Sequence, residues 1–356
     1  MTKERMEKLE NDYAYTRLIA AVCIVLGVAT EISGFFIYPA SGALAVLLRI
    51  FLVFVGAFIG YFLHNALHEL FHALFASFSG SQVAAISFWG FKISKARPKI
   101  STERSSLHAG WTVFYVKNPI NAEKSLTTAL VGGLVGSVLT IVLFTVLAVV
   151  IKNGCMLALL VAASFSAFYM LLINFLPFTE ANDGALLFKA DKPSYVKTLV
   201  AFETESRLFD GEPLEKAFPL TVEKTYGKRP TTYYDCLYML SKGDLPTARL
   251  IADKLVKNTE LSDNEVIALL TERFFIACVE NDEEKVEAIL PEVEPFFDEN
   301  LASCRAHAAY RLFKGEKEWA TLVASSYKTL SENCPLKGLA ASDKKVFDEF
   351  IAPLLN

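Results

Sequence analysis

The sequence predicts a mostly α-helical chain: a polytopic membrane helix bundle of about four spans with a small β-hairpin segment, then a C-terminal soluble α-helical domain that resembles a repeat array. Hydrophobic residues make up 53% of the 356 residues, and the mean hydropathy of +0.35 is high for a soluble protein. The apolar residues are concentrated in four long runs in the first half. After Lys189 the sequence becomes charged, and turn residues recur at the interval of helical repeats.

These changes in composition predict three parts. Residues 1–17 form a charged N-terminal segment, residues 18–188 the apolar membrane domain, and residues 189–356 the soluble helical domain. The net charge of -4 and the pI near 5.9 give no basis for nucleic-acid binding. The six cysteines show no paired spacing, so neither a zinc ribbon nor a disulfide framework is predicted.

Each apolar run is long enough to cross a bilayer. The predicted spans are Leu18 to Tyr38, Ala43 to about Phe78, Leu126 to Ile151 and Cys155 to about Leu176. The third span begins with a glycine-rich stretch that allows another helix to approach closely. The fourth span ends before Pro177, which stops a helix.

The segment between the second and third spans has the period of β-strands, with predicted strands from Gln82 to Ser94 and from Trp111 to Lys117. The strands either offer an edge to an extended peptide or merely join two helices, and periodicity does not choose between these. The segment is basic, with Lys92, Lys95, Arg97, Lys99, Arg104, Lys117 and Lys124. The positive-inside rule therefore predicts a multi-pass protein of the cell membrane with this segment and both termini in the cytoplasm.

The second span ends in three histidines and a glutamate: His64, His68, Glu69 and His72. His68 and His72 are four residues apart, so on a helix they lie one turn apart and can bind one metal ion together. Glu69 can then act on a water at that metal. Zinc fits best, because two imidazoles and one carboxylate leave a fourth position for water, so the pattern predicts hydrolysis. The alternative is a helix end that emerges into water with polar residues on its wet side.

His64 and His68 share the same spacing, but Asn65 follows His64 and cannot serve as a base. The predicted register is therefore His68 and His72. Counting spans from an inside amino terminus brings the ends of the second and fourth spans to the same face. A histidine pair on one helix and a carboxylate after the other, such as Asp183, can then meet at one metal ion.

These residues resemble the site-2 protease family of intramembrane zinc metalloproteases. The likeness rests on His68-Glu69-x-x-His72, on the glycine-rich start of the third span, and on Asn174-x-x-Pro177 followed by Asp183-Gly184. It covers about the first half of the chain. The resemblance implies that His68, His72 and Asp183 bind Zn²⁺ and that Glu69 is the general base. It also implies a membrane-associated β-hairpin that guides substrates, which would be transmembrane segments of other proteins.

The chain departs from the family pattern after Pro177. Five residues separate Pro177 from Asp183 where the familiar form has four, and Asn182 replaces a leucine. Glu180 therefore competes with Asp183 as the third ligand. We expect Asp183, because Gly184 permits a sharp backbone turn and a short side chain loses less rotamer entropy when it is fixed on a metal.

The soluble half contains a weak repeat. Turns are predicted at Lys242-Gly243-Asp244, Glu280-Asn281-Asp282 and Lys314-Gly315-Glu316. This period is typical of a tetratricopeptide-like array, which would bind a protein partner, and the alternative is an unrelated helical bundle. For the whole chain, the alternative to a protease is a catalytically inactive membrane scaffold that recruits partners through this domain.

One further expectation concerns charges inside the apolar half. Glu31 and Arg49 lie at matching depth on the first two spans, counted from the turn between them. Because an unpaired charge there would cost a few kcal/mol, the sequence predicts an ion pair between them.

Overall fold

The computed structural model describes residues 3–39, 42–94, 101–102, 110–117, 121–177, 182–190, 192–218, 225–257 and 263–355. The chain is mostly helical. It divides into two compact units at Tyr195 and Val196, a few residues after the boundary that composition predicts.

The first unit is built from α1 (Lys3–Ile37), α2 (Ala43–Phe78), α3 (Ala122–Val150), α4 (Gly154–Phe175) and the short α5 (Asp183–Leu187). Among the described residues, four helical segments are long and apolar enough to cross a membrane: Tyr13–Ile37, Ala43–Phe78, Ala122–Val150 and Gly154–Phe175. Large apolar side chains such as Leu44, Phe54 and Val149 are exposed on these helices. Such surfaces suit helices that are surrounded by lipid.

Glycines allow α2 to pack tightly between α3 and α4. A Cβ atom on Gly60 would lie 2.7 Å from the Cα of Ala163 in α4. On the other side, a Cβ atom on Gly132 of α3 would lie 2.6 Å from the Cβ of Phe75. Both separations are too short for real side chains, so these contacts require glycine. The helix that carries the histidines is therefore central in this unit.

The segment after α2 forms an antiparallel sheet of β1 (Ser81–Phe88), β2 (Phe91–Ser94), the two-residue β3 (Ser101–Thr102) and β4 (Trp111–Val116). The strand order is β3-β2-β1-β4. The prediction of a single strand from Gln82 to Ser94 is wrong, because Trp89 and Gly90 form a turn with φ of 56° and 73°. Consecutive positive φ values are typical of a tight hairpin. Tryptophan favours strands and rarely adopts this conformation, so the sequence concealed the turn.

The predicted ion pair between Glu31 and Arg49 is also wrong. In the part of the chain that the structure describes, no salt bridge joins them, and Glu31 Oε1 is buried without a hydrogen-bond partner. The Arg49 guanidinium instead lies over the ring of Phe35, with Cζ 4.7 Å from the centroid. Depth along two helices did not determine the direction in which each side chain points.

From α6 onward the chain is a succession of helices. They are α6 (Lys192–Phe209), α7 (Leu214–Ala217), α8 (Tyr233–Leu240), α9 (Leu245–Val256), α10 (Asp263–Val279), α11 (Glu283–Val293), a 3-10 turn (Glu294–Phe296), α12 (Leu301–Phe313), α13 (Lys317–Asn333), α14 (Lys337–Phe350) and α15 (Ala352–Leu355).

The three predicted turns join α8 to α9, α10 to α11 and α12 to α13, and they share one backbone conformation. Gly243, Asn281 and Gly315 have φ of 75°, 56° and 74°. In each turn the next residue donates its N–H to the carbonyl five residues earlier: Asp244 to Met239, Asp282 to Ala277 and Glu316 to Arg311. This is the hydrogen bond of a Schellman helix end. Gly211, between α6 and α7, has the same left-handed conformation with φ of 89°, although no turn was predicted there.

The second unit also buries a charged cluster, which we call the Arg305 cluster. The Arg305 side chain is fully buried, and its Nη2 atom lies 2.9 Å from Glu272 Oε2 and 3.0 Å from Asp343 Oδ2. Tyr233 donates a hydrogen bond to Glu272 and Tyr327 donates one to Asp343, each at 2.8 Å. Burial disfavours the charge, but the two carboxylates outweigh it and raise the pKa of Arg305 well above its usual value.

Candidate metal centre

The structure brings the three predicted metal ligands together, and we call them the metal centre. His68 and His72 lie one turn apart on α2 and are buried, and Asp183 is the first residue of α5. His68 Nε2 lies 3.0 Å from His72 Nε2. Asp183 Oδ2 lies 3.0 Å from His68 Nε2 and 2.9 Å from His72 Nε2. Three potential ligand atoms thus form a nearly equilateral triangle.

The other nitrogen of each imidazole contacts α3. His72 Nδ1 lies 2.8 Å from the carbonyl oxygen of Ala129, and His68 Nδ1 lies 3.2 Å from that of Gly133 and 3.0 Å from Ser137 Oγ. A carbonyl oxygen can only accept, so both Nδ1 atoms carry hydrogen. In the neutral rings both Nε2 atoms then present lone pairs, the arrangement of metal-binding histidines.

This geometry suits a metal ion. Three lone-pair-bearing atoms about 3 Å apart repel one another unless a cation or a shared proton lies between them, and ligand atoms in tetrahedral zinc are separated by roughly 3.3 Å at bonds of about 2.0 Å. A metal ion held by these three atoms would have room for a water or a substrate as a further ligand. Other first-row divalent ions accept nitrogen and oxygen ligands as well. The donor set therefore identifies a candidate metal site and does not by itself choose the metal.

The glycine-rich start of α3 makes room for both imidazoles. A Cβ atom on Gly133 would lie 2.9 Å from His68 Cε1 and would overlap the His72 ring. Because the carbonyl of Gly133 also accepts from His68, this residue serves the site twice, through its small size and through its main chain.

Asn182 positions Asp183. Its side-chain oxygen accepts from the N–H of Ala185 at 2.7 Å, which caps α5. Its Nδ2 atom donates to the carbonyls of Ile173 at 3.0 Å and Leu176 at 2.5 Å, which fastens the start of α5 to the end of α4. Asn182 thus fixes the backbone of the candidate ligand Asp183 in place.

A glycine is required at position 184 for close packing, and not for the sharp backbone turn that the sequence suggested. It lies inside α5, and a Cβ atom there would be 2.6 Å from the Cα of Phe175, so close packing is what requires glycine. The competing carboxylate, Glu180, lies outside the described residues. Burial opposes the ionisation of Asp183, but the two neighbouring imidazoles of His68 and His72 outweigh it and hold the pKa of Asp183 below its usual range.

Glu69 follows His68 on α2 and is buried beside the metal centre. Its Oε2 atom accepts a hydrogen bond of 2.7 Å from the Thr112 hydroxyl, at the start of β4. The sequence did not predict the roles of Thr112 and Ser137, and it indicated Asn182 only as a departure from the family pattern. Only Asn182 had a local signal, since asparagine just before a short helix is a preferred cap.

His64 lies outside the ligand set. Its ring is stacked on that of His68 with centroids 5.7 Å apart, and neither ring nitrogen has a hydrogen-bond partner among the described residues. Its nitrogens are not part of the group whose atoms converge. This arrangement agrees with the register in which His68 and His72 act as a pair.

Comparison of the chain with protein-family models, with curated proteins and with solved structures finds no match in any of the three. The inference of function therefore depends on the geometry of the metal centre and its surroundings.

Proposed function

We propose that the chain is an intramembrane zinc metalloprotease, in which His68, His72 and Asp183 hold zinc and Glu69 is the general base. The observation that carries the proposal is the convergence of three lone-pair-bearing atoms beside a buried carboxylate, on helices apolar enough to cross a membrane. Zinc, when bound, supplies a Lewis acid that polarises the scissile carbonyl and acidifies the attacking water. Glu69 accepts the proton from that water and returns it to the leaving amine.

The surroundings of the site support a membrane-embedded peptide as the substrate. The ligands are carried by or adjoin the apolar helices α2 and α4, so the scissile bond lies in or near a transmembrane segment. Strand β4 meets Glu69, which favours an extended segment at the site because strands recognise peptides through main-chain hydrogen bonds. The substrate class is therefore membrane-tethered regulators or signal-peptide remnants that carry a transmembrane helix.

The basic segment between α2 and α3 supports a cytoplasmic position for the sheet and for both termini. The second unit supports a partner-binding role, because its helix pairs recur with the same Schellman turn, as in tetratricopeptide-like arrays. We infer that this array binds a protein segment.

The experiment that tests the proposal compares wild type with Glu69→Gln, which removes the proton acceptor and leaves both imidazoles in place. We expect the variant to retain zinc while membrane substrates accumulate uncleaved, as measured by metal analysis and by comparative proteomics of cell membranes. His64→Ala is the matched control and should keep zinc and cleavage.

Two results would count against the proposal. Normal cleavage by Glu69→Gln would exclude Glu69 as the base. Membrane proteomes that do not differ between wild type and Glu69→Gln would favour the inactive scaffold instead.

A further inference from the structure

The start of β4 holds the Glu69 carboxylate on two sides. The Thr112 Oγ1 atom lies 2.7 Å from Glu69 Oε2 and 3.1 Å from the main-chain oxygen of Glu69. A Cβ atom on Gly110 would lie 2.7 Å from Glu69 Oε1 and 2.8 Å from its Cδ. One oxygen of the carboxylate thus receives a hydrogen bond, and the other lies against a residue that has no side chain.

The sheet fixes this strand in place. Thr112 is paired with Ile86 and Trp111 with Ser87 of β1, which begins directly after α2. Successive side chains of a strand point to opposite faces. In agreement, Thr112 faces α2, while the Trp111 ring packs under Lys92 Nζ at 4.9 Å on the sheet. The hydroxyl is therefore presented to Glu69 by a strand that is anchored along its length.

A base that takes a proton from water must keep one carboxylate oxygen in a fixed direction. A glutamate side chain has three rotatable bonds, and each alternative rotamer would carry the carboxylate away from the water. A hydroxyl donor removes this freedom without supplying a positive charge that would compete with the metal. A methyl side chain at position 110 would push the Glu69 carboxylate aside.

We propose that Thr112 is a positioning residue for Glu69, and that Gly110 is needed because only a residue without a side chain leaves the carboxylate in its place. This inference rests on the proposed function. The activity of the base then depends on the sheet that guides the substrate. A displacement of β4 would remove the hydrogen bond that orients Glu69, while the metal ligands on α2 and α5 remain in position.

The contact could instead serve only to fasten the sheet to α2, and the test must separate the two roles. Acetohydroxamate is a suitable probe because it chelates zinc, presents a hydroxyl where the attacking water would lie, and is too small to reach the sheet. With zinc-loaded protein, we expect Thr112→Val and Glu69→Gln each to weaken its binding roughly tenfold, the range for a hydrogen bond to a charged group. The double variant should bind little more weakly than either single variant, because the two residues act as one unit.

Turnover of a membrane substrate provides the second readout. Thr112→Val should lower kcat roughly tenfold with KM within about twofold, and Thr112→Ser, which keeps the hydroxyl, should restore it. Ser87→Ala is the matched control, since Ser87 is buried in the same sheet and its hydroxyl donates to the carbonyl of Phe91 at 3.0 Å. It should leave both kcat and acetohydroxamate binding unchanged. Gly110→Ala should lose activity with zinc retained.

The outcomes are distinguishable. If zinc-loaded wild type binds no acetohydroxamate, the proposed metal centre is wrong and this inference fails with it. If Glu69→Gln weakens binding and Thr112→Val does not, the protease proposal stands and the role of Thr112 is overturned. Should Thr112→Val prove too unstable to purify, Gly110→Ala decides, because full kcat in that variant would contradict the inference.

Discussion

Each of the two units of the protein buries a polar cluster, and the two clusters differ in the charges that they contain. In the Arg305 cluster the chain supplies both signs of charge, and a guanidinium lies between two carboxylates within hydrogen-bond distance. In the metal centre the chain supplies two imidazole lone pairs and a carboxylate that face one another at about 3 Å. One cluster contains its cation within the chain, and the other consists of groups that can surround a metal cation.

This difference distinguishes a structural polar core from a candidate binding site. Buried charges persist when a partner of opposite sign is built into the fold. Among the described residues no lysine or arginine pairs with Asp183, so two neutral imidazoles and an ionised carboxylate at this place would take their cation from solution. Four experiments on the two clusters test this contrast.

The largest effect is expected from Arg305→Ala, which leaves Glu272 and Asp343 buried without their cation. Breaking a buried ion pair in this way costs about 3–5 kcal/mol. Hydrogen exchange of the full-length protein should show this loss as faster opening of α12. Lys344→Ala removes the exposed pair with Asp348 and should cost under about 1 kcal/mol. Equal effects of the two changes would contradict the structural role of the Arg305 cluster.

Zinc should stabilise the first unit alone. At a concentration about a thousand times its dissociation constant, a ligand that binds only the folded state adds about 4 kcal/mol. We expect slower hydrogen exchange in α2 and α3 on zinc addition, reversal by a chelator, and no change in α12. A uniform response of both units would mean that the metal acts without a specific site.

Asp183→Ala should remove the third ligand and weaken zinc binding more than about 100-fold, or roughly 2.7 kcal/mol. Metal analysis of the purified variant measures this directly. Glu180→Ala is the comparison, since both carboxylates follow Pro177, and it should retain zinc. Metal loss in Glu180→Ala with retention in Asp183→Ala would reverse the ligand assignment.

The smallest effect is expected from Ser137→Ala, which removes one of the two oxygens beside His68 Nδ1. Because the carbonyl of Gly133 remains as an acceptor, zinc affinity should fall about tenfold or less. Thr140→Val is the control, since its hydroxyl donates only within α3, to Gly136. A titration of zinc against a competing chelator resolves this difference, and equal affinities for Ser137→Ala and wild type would assign the orientation of His68 to Gly133 alone.

The sequence predicts the long helices well because each depends on its own composition. The second helix begins at Ala43 and ends at Phe78, as the apolar run indicates. The candidate metal ligands could also be predicted from the sequence, since His68 and His72 are neighbours on one helix and Asp183 follows a proline break. These features can be predicted because each is determined by residues that are close together in the sequence.

What the sequence concealed depends on contacts between distant segments. Trp89 occupies a turn that its intrinsic preference disfavours, and Arg49 turns toward Phe35 although its depth matches that of Glu31. Thr112 reaches Glu69 across 43 residues of chain. Nothing near Thr112 in the sequence distinguishes it from any other threonine in a strand, so its role becomes visible only when the strand is packed on α2.

The distance in sequence between the histidines and Asp183 also determines the order in which the candidate metal ligands are synthesised. Asp183 follows His72 by 111 residues, so at about 5–20 residues per second the histidine pair waits roughly 5–20 s for its carboxylate. During that interval the nascent protein has Glu69 but lacks a complete ligand set. If the proposed function holds, the chain would become active only after the segment that follows its fourth apolar helix has been synthesised.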